Sequence, residues 1–183
     1  MIANEKKKVS RVVKKKTFLP AGVTYELNDN NVLFKGPQGE LNVGFSSKVS
    51  VILNKENQQI EFSSDSLSSA ELGTNVVLFR NGMNGVWKKF EKVLNLYGVG
   101  YKVLNLDGVL EFFVGYSHSI KITPPSNIDF EIKTPTQIIL KSCSKIDLGD
   151  FAAKISKIRK VNPYKTKGII ESGAFVVKKE GKK

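Results

Sequence analysis

The chain has 183 residues, of which 40% are hydrophobic and 25% charged, and its formal net charge is +12 at pH 7. This hydrophobic content argues against a disordered chain, and the length allows one large domain or two small ones. The single cysteine, Cys143, cannot form a disulfide within the chain, which fits a reducing compartment. No apolar run reaches the ~18 residues of a membrane span, and no apolar segment follows the basic N-terminus as a secretory signal requires. We therefore expect a cytoplasmic protein.

The positive charge is concentrated at the two ends of the chain. Residues 1–16 carry seven Lys or Arg and one Glu, and residues 141–183 carry twelve Lys or Arg and four acidic residues. The residues between them carry ten basic and twelve acidic side chains. This asymmetry indicates a polyanionic partner, with a pair of solvated lysine-rich tails as the alternative. We interpret residues 1–16 as a flexible basic arm.

The first predicted domain, residues 17–82, contains several strands followed by one helix. Turns rich in Asn, Gly and Pro separate short hydrophobic segments, which predict strands over 32–34, 40–45, 49–53 and 59–62. Capping residues follow at 65–68, and apolar residues then recur at spacings of three and four. These features predict a helix that ends near residues 81–82.

The second predicted domain, residues 83–183, repeats this order. Strands are predicted over 93–97, 101–106, 109–114, 128–133 and 137–141. A helix is predicted to begin at Ser144, with Asp147 completing a capping box. Its apolar face consists of Leu148, Phe151, Ala152, Ile155 and Ile158. The opposite side carries a basic stripe of Lys154, Lys157 and Lys160, available for a partner.

The two halves also echo each other in sequence, at 44–47 and 115–118 and at 72–73 and 148–149. Together with the matching order of elements, this indicates an internal duplication. The predicted fold class is therefore α/β, of the α+β type. It consists of two similar domains, each a mostly antiparallel sheet with one packed helix.

The sequence offers no evident catalytic or metal site. It has one histidine, His118, and one cysteine, too few for the usual zinc sites, and its carboxylates are scattered. No phosphate-binding glycine loop is present, and Gly98 and Gly100 are interpreted as structural. We therefore expect no enzyme activity, no cofactor, no metal and no small-molecule substrate.

The segment 157–168 has the composition of an RNA contact. Five of its twelve residues are cationic, and it is predicted to leave the helix and become extended at Pro163. The predicted phosphate-binding residues are Arg159, Lys160, Lys165 and Lys167, with Lys154 and Lys157 as second choices. Tyr164 would pack on a sugar or base, Pro163 would fix the chain direction, and Gly168 would allow close approach. The alternative is a surface loop in which Tyr164 fills the core.

Five motifs in order resemble the bacterial-type family of the sixth protein of the large ribosomal subunit. They are LPAGV at 19–23, KGPQGEL at 35–41, YGVGYK at 97–102, VGYSH at 114–118 and PYKTKGI at 163–169. The sequence departs from the family pattern at Ser119, where proline is usual, and at Thr166, where glycine is usual. Residues 1–9 are an added lysine-rich arm.

The resemblance implies two similar α/β domains that bind large-subunit rRNA, mainly through the second domain. It also implies neighbouring ribosomal proteins as partners, no membrane, and a ribosome-bound location near the stalk base and the sarcin-ricin loop, where translational GTPases dock. Within its motifs, Tyr101, Lys102, Ser117 and His118 are possible contacts to RNA or protein. A free-standing nucleic-acid-binding protein and an RNA-processing enzyme remain as alternatives.

Overall fold

The computed structural model describes residues 16–28, 31–46, 48–54, 59–63 and 68–181. The predicted arm lies outside these residues except for Lys16, as do the turn positions 29–30 and 55–57 and the capping positions 65–67. The chain divides into two compact units, Met1–Lys89 and Phe90–Lys183.

The first unit contains two three-stranded antiparallel sheets and helix α1 (Ser69–Trp87). One sheet has the order β1-β6-β5 and the other the order β2-β3-β4. Their strands are β1 (Thr17–Phe18), β2 (Thr24–Leu27), β3 (Asn31–Gly36), β4 (Gly39–Gly44), β5 (Ser50–Asn54) and β6 (Gln59–Ser63).

Helix α1 packs on this unit through Phe79, which is fully buried. Four aromatic rings surround Phe79 edge-on, with centroids 4.9–5.9 Å away: Tyr25, Phe34, Phe45 and Phe62. The predicted end of the helix near residues 81–82 is wrong. Gly82 lies against the Phe34 ring, where a Cβ atom would come within 2.5 Å of Cε2. This glycine allows close packing inside the helix, and the predicted boundary at 82/83 falls within α1.

The KGPQGEL motif at 35–41 forms a turn that contacts the C-terminal end of α1. The backbone N–H of Gln38 donates to the carbonyl of Val86 at 3.0 Å. A Cβ atom on Gly36 would lie 2.7 Å from the same oxygen. This motif therefore has a structural function in the first unit.

The second unit contains a four-stranded sheet of order β11-β12-β7-β13, a three-stranded sheet of order β10-β9-β8, and helix α2 (Lys145–Ile158). All paired strands are antiparallel. The strands are β7 (Phe90–Tyr97), β8 (Lys102–Leu106), β9 (Val109–Phe113), β10 (Ile120–Ile122), β11 (Asp129–Thr134), β12 (Gln137–Ser142) and β13 (Gly168–Glu171).

The topology of the two units matches strand by strand. The order β1-β6-β5 in the first unit corresponds to β7-β12-β11 in the second, and β2-β3-β4 corresponds to β8-β9-β10. In both units a helix follows these six strands. The predicted α+β class with two duplicated domains is confirmed. In the described residues, only the second unit has a further strand after its helix, and this strand, β13, pairs with β7.

Helix α2 covers the second core with the predicted apolar face. Leu148, Phe151, Ala152 and Ile155 are buried, and Ile158 packs at the edge of the core. Ser144 caps the helix by accepting the Asp147 N–H at 3.2 Å. The other half of the predicted capping box is wrong, because the Asp147 carboxylate accepts a hydrogen bond from the Asn127 amide instead.

Candidate nucleic-acid interface

Residues 159–169, which we call the 159–169 loop, connect α2 to β13 and are closed by three backbone hydrogen bonds. The Ile169 N–H donates to the Arg159 carbonyl at 3.1 Å, and the Asn162 N–H donates to the Lys167 carbonyl at 2.9 Å. The Thr166 N–H donates to the Asn162 carbonyl at 2.7 Å. These bonds hold the two ends of the loop together at the edge of the sheet.

Asn162 turns the chain inside this loop. Its side-chain oxygen accepts the N–H groups of Tyr164 at 2.8 Å and Lys165 at 3.3 Å, an Asx-type turn. The predicted extended conformation at Pro163 is therefore wrong. The chain turns over residues 163–165 because the asparagine side chain satisfies two donors that an extended strand would leave for a neighbour.

Two further residues fix the shape of the loop. Thr166 has φ +52°, in the left-handed region, and Gly168 has φ +147°. A Cβ atom on Gly168 would lie 2.7 Å from Cα of Val161 and 2.9 Å from its nitrogen. The close approach that Gly168 allows is thus to its own loop, where it is buried.

The predicted cations lie on the surface around this loop. The exposed lysines are Lys154, Lys157, Lys160, Lys165 and Lys167. In the part of the chain that the structure describes, none of them forms an ion pair. Tyr164 is 54% exposed, so the alternative in which its ring fills the core is wrong. The loop therefore presents an aromatic ring among uncompensated positive charges.

Arg159 lies at the junction of α2 and the loop, against Tyr116. Its guanidinium carbon is 4.8 Å from the centroid of the Tyr116 ring. The hydroxyl of Tyr116 donates to the last helical carbonyl, that of Ile158, at 3.0 Å. The pKa of Arg159 is raised further above its usual value, first by hydrogen bonding to Tyr116 and then by the charge interaction with Tyr101. Sequence reasoning missed Tyr116, although it lies within the VGYSH motif.

Tyr101 is only 7% exposed and belongs to the core of the second unit. A Cβ atom on Gly98 would lie 2.7 Å from its ring, and one on Gly115 would lie 3.2 Å from it. Two of the motif glycines therefore make room for this ring, and Gly100, with φ +75°, turns the chain before it. Because it is buried, Tyr101 has a packing role and no free face for RNA.

The other candidates from these motifs are exposed. Lys102 holds its Nζ 4.9 Å from the centroid of the Phe113 ring. Ser117 and His118 are exposed in the turn after β9, and the His118 ring lies nearly parallel to Tyr116. Through Tyr116, His118 adjoins Arg159 and the start of the 159–169 loop.

The C-terminal tail contributes positions that sequence reasoning did not single out. The backbone N–H of Lys179 donates to the Pro163 carbonyl at 3.0 Å, which fixes the tail beside the loop. Lys178 and Lys179 are exposed, and Phe175 is 90% exposed. The high lysine content of the tail was the available signal, but its position beside the loop depends on a backbone contact.

Outside residues 1–16, the net positive charge lies in the second unit. Residues 90–183 carry sixteen Lys or Arg and nine acidic residues. Residues 17–89 carry six Lys or Arg and seven acidic residues. Within the described residues, no group of three or more His, Cys, Asp or Glu is placed to hold a metal ion. None of the helices described is long and apolar enough to cross a membrane. The arrangement is suited to binding a polyanion through cations and exposed rings.

Comparison with known proteins gives a consistent result. Residues 97–172 match the family model of ribosomal protein L6. The chain is 40% identical over 177 residues to the large ribosomal subunit protein uL6 of Enterococcus faecalis, covering 95% of this chain and 98% of the relative. It is 37% identical over 175 residues to uL6 of Listeria monocytogenes, with coverages of 95% and 98%. For uL6 of Moorella thermoacetica the identity is 36% over 175 residues, with coverages of 95% and 96%.

These relatives are named as ribosomal proteins and not as enzymes, which confirms the predicted family and the prediction that the chain is not an enzyme. The match covers both units and the 159–169 loop. The chain therefore belongs to the ribosomal protein uL6 family, whose members are proteins of the large ribosomal subunit.

Proposed function

We propose that the chain binds large-subunit rRNA through the cationic surface of its second unit, as a cytoplasmic, ribosome-bound structural protein. The observation that carries this proposal is the closed 159–169 loop, which holds Tyr164 exposed among exposed lysines. Lysines placed on a rigid loop neutralise phosphates with little loss of conformational freedom. The protein's location near the stalk base and the sarcin-ricin loop, with ribosomal proteins as neighbours, belongs to the same proposal.

The residues of this surface have distinct roles in the proposal. The phosphate-binding residues are Lys154, Lys157, Arg159, Lys160, Lys165 and Lys167. Tyr164 packs on a sugar or base. Pro163 and Gly168 shape the loop, with the Pro163 carbonyl also holding the tail. Lys102, Ser117 and His118 are further contacts on the same unit.

Salt dependence of binding tests the phosphate contacts directly. The double variant Lys165→Gln/Lys167→Gln should bind a large-subunit rRNA fragment more weakly. The slope of log K against log salt should fall by about 0.7–0.9 for each lost contact. Lys88→Gln/Lys133→Gln is a matched control, since both lysines are exposed and lie outside this surface. An unchanged slope in the loop variant, or an equal loss in the control, would contradict the assignment.

Point substitutions are preferable to deletion of the C-terminal segment. A deletion of residues 159–183 removes β13, including Ile169, which is 2% exposed and part of the second core. Loss of binding in that deletion would follow from damage to the core as readily as from loss of the contact.

The proposed location requires a separate experiment. A photoreactive amino acid at position 164, incorporated into ribosomes in cells, should cross-link to large-subunit rRNA close to the sarcin-ricin loop. The same amino acid at position 52, where Ile52 is 57% exposed in the first unit, is the control. Sedimentation of the tagged chain away from the large subunit, or cross-links confined to another rRNA region, would contradict the location.

A further inference from the structure

Three planar side chains adjoin one another at the C-terminal end of α2. The guanidinium of Arg159 is 4.8 Å from the Tyr116 ring centroid. The His118 ring centroid is 6.3 Å from the Tyr116 centroid, and the two ring planes differ by 22°. Tyr116 takes part in both contacts, so it joins Arg159 and His118 in one group, which we call the cation–aromatic stack.

The stack is anchored to the folded unit. The Tyr116 hydroxyl donates to the Ile158 carbonyl at 3.0 Å, which ties the ring to the end of α2. Gly115, with φ +77°, turns the chain directly before Tyr116 and lies against the buried Tyr101 ring. Rings held in place in this way lose little conformational freedom when a ligand binds.

The stack is also open to solvent. Tyr116 is 44% exposed, and His118 lies in an exposed turn. Arg159 is the first residue of the 159–169 loop, and Lys157 and Lys160, both exposed, lie beside it in sequence. A polyanion bound to these lysines therefore passes next to the stack.

Aromatic rings do not neutralise phosphates. Their flat faces can instead stack on the flat face of a nucleobase. Bases within a duplex already stack on their neighbours, so the occupant is an unpaired base. We propose that Arg159, Tyr116 and His118 form a stacking platform for one unpaired RNA base, beside the phosphate-binding loop. This inference rests on the proposed function and adds a base contact to it.

Two synthetic RNA probes of equal charge isolate the base contact. One is a ten-nucleotide oligoadenylate, and the other is the same ribose-phosphate chain without bases. The full-length chain should bind the oligoadenylate more tightly, and His118→Leu should weaken that binding about tenfold while leaving the abasic probe unaffected. His118→Phe retains a ring and should restore binding to within about twofold of the unmodified chain.

The outcome that overturns the proposal is equal binding of oligoadenylate by the unmodified chain and His118→Leu, or an equal loss for both probes. Ser126→Ala, in another exposed turn of the same unit and outside the proposed contacts, is the matched control and should change neither affinity. Circular dichroism of each variant verifies that the second unit is folded.

A second measurement identifies the occupant in the ribosome. A photoreactive amino acid at position 118 should label rRNA at an unpaired nucleotide. Labelling of a ribosomal protein, or of a paired nucleotide alone, overturns the platform. Failure of the chain to join the large subunit would contradict the proposed function and not the base contact. The comparison of the two oligonucleotides tests the base contact independently of the ribosome.

Discussion

The hydroxyl of Ser119 donates a hydrogen bond of 2.5 Å to the carboxylate of Glu111 on β9. The Glu111 side chain is only 12% exposed, and the Nζ of Lys121 lies 3.9 Å from the same carboxylate. The family resemblance described above leads us to expect proline at position 119. Because proline has no hydroxyl, it could not make this bond, so Ser119 and Glu111 act as a pair in this chain.

Loss of the Ser119 hydroxyl should therefore destabilise the second unit. Ser119→Ala leaves the nearly buried carboxylate with one distant cation, and the expected cost is about 1–3 kcal/mol in the free energy of unfolding. Urea unfolding measures this change. The double variant Ser119→Ala/Glu111→Leu removes both partners and should recover most of the loss. Ser119→Ala could instead change the free energy of unfolding by no more than the ~0.5 kcal/mol expected for an exposed site such as Ser117→Ala. In that case the hydrogen bond contributes no stability.

The same substitution should have opposite effects at two helical glycines. Gly82→Ala places a Cβ atom 2.5 Å from Cε2 of Phe34, whereas the Cβ atom of Gly149→Ala in α2 has no described neighbour within 4 Å. Alanine is favoured over glycine inside a helix by about 1 kcal/mol. We expect Gly149→Ala to stabilise by up to that amount, and Gly82→Ala to destabilise by about 1–3 kcal/mol because overpacking prevails. Thermal unfolding distinguishes them, and destabilisation by both would contradict this account.

The central strands were predictable because their apolar residues alternate between turn signals. Strands β3, β4, β5 and β6 and most strands of the second unit lie where the periodicity placed them. Four strands were missed: β1, β2, β10 and β13. Strand β1 has two residues, and none of the residues of β2 and β10 is buried, so the expected apolar alternation is weak. In β13 the two buried residues are adjacent and do not alternate. The end of α1 was misplaced because glycine is a usual stop signal, and its contact with Phe34 is a tertiary effect.

The cations of the candidate interface were predictable from composition, but their geometry was not. The bond from Lys179 to Pro163 joins residues 16 positions apart, and Tyr116 reaches Ile158 across 42 positions. No local pattern encodes such contacts. The turn at Asn162 could be predicted from the sequence, because an asparagine before proline favours turns. Proline by itself favours an extended conformation, but the two hydrogen bonds to the Asn162 side chain turn the chain here.

The capping box of α1 should make the first unit less stable in acid. The Ser68 backbone and hydroxyl both donate to the Glu71 carboxylate at 3.0 Å, and these bonds lower the pKa of Glu71. A carboxyl group with a folded pKa below its unfolded value of about 4.3 contributes stability above that pH. The contribution disappears as the pH falls through the folded pKa.

Glu71→Gln should accordingly lower the free energy of unfolding at pH 7 and have a much smaller effect near pH 3. Denaturant unfolding at several pH values measures the difference between the two proteins. Glu61→Gln, at an exposed position on β6, is the matched control. A Glu71 effect that is independent of pH would show that the ionised carboxylate does not carry the cap.

Thr166 occupies a backbone conformation that suits glycine. Its φ of +52° lies in the left-handed region, which costs a residue with a Cβ atom roughly 1–2 kcal/mol. Glycine removes this strain but adds freedom to the unfolded chain, worth about 0.4–1 kcal/mol. Among the described residues, the Thr166 hydroxyl bonds only to the adjacent Lys165 carbonyl, at an exposed site, so its loss matters little. We therefore expect Thr166→Gly to stabilise the second unit by up to about 1 kcal/mol.

Thr136→Gly is the matched control for this substitution. Thr136 is an exposed turn residue of the same unit, and its φ is not in the left-handed region. There the glycine should only destabilise, by about 0.4–1 kcal/mol. Differential unfolding measurements compare the two variants, and equal destabilisation would mean that Thr166 carries no strain. Because Thr166→Gly leaves both flanking lysines in place, the salt slope for rRNA should stay unchanged while stability rises, which separates the shape of the loop from its charge.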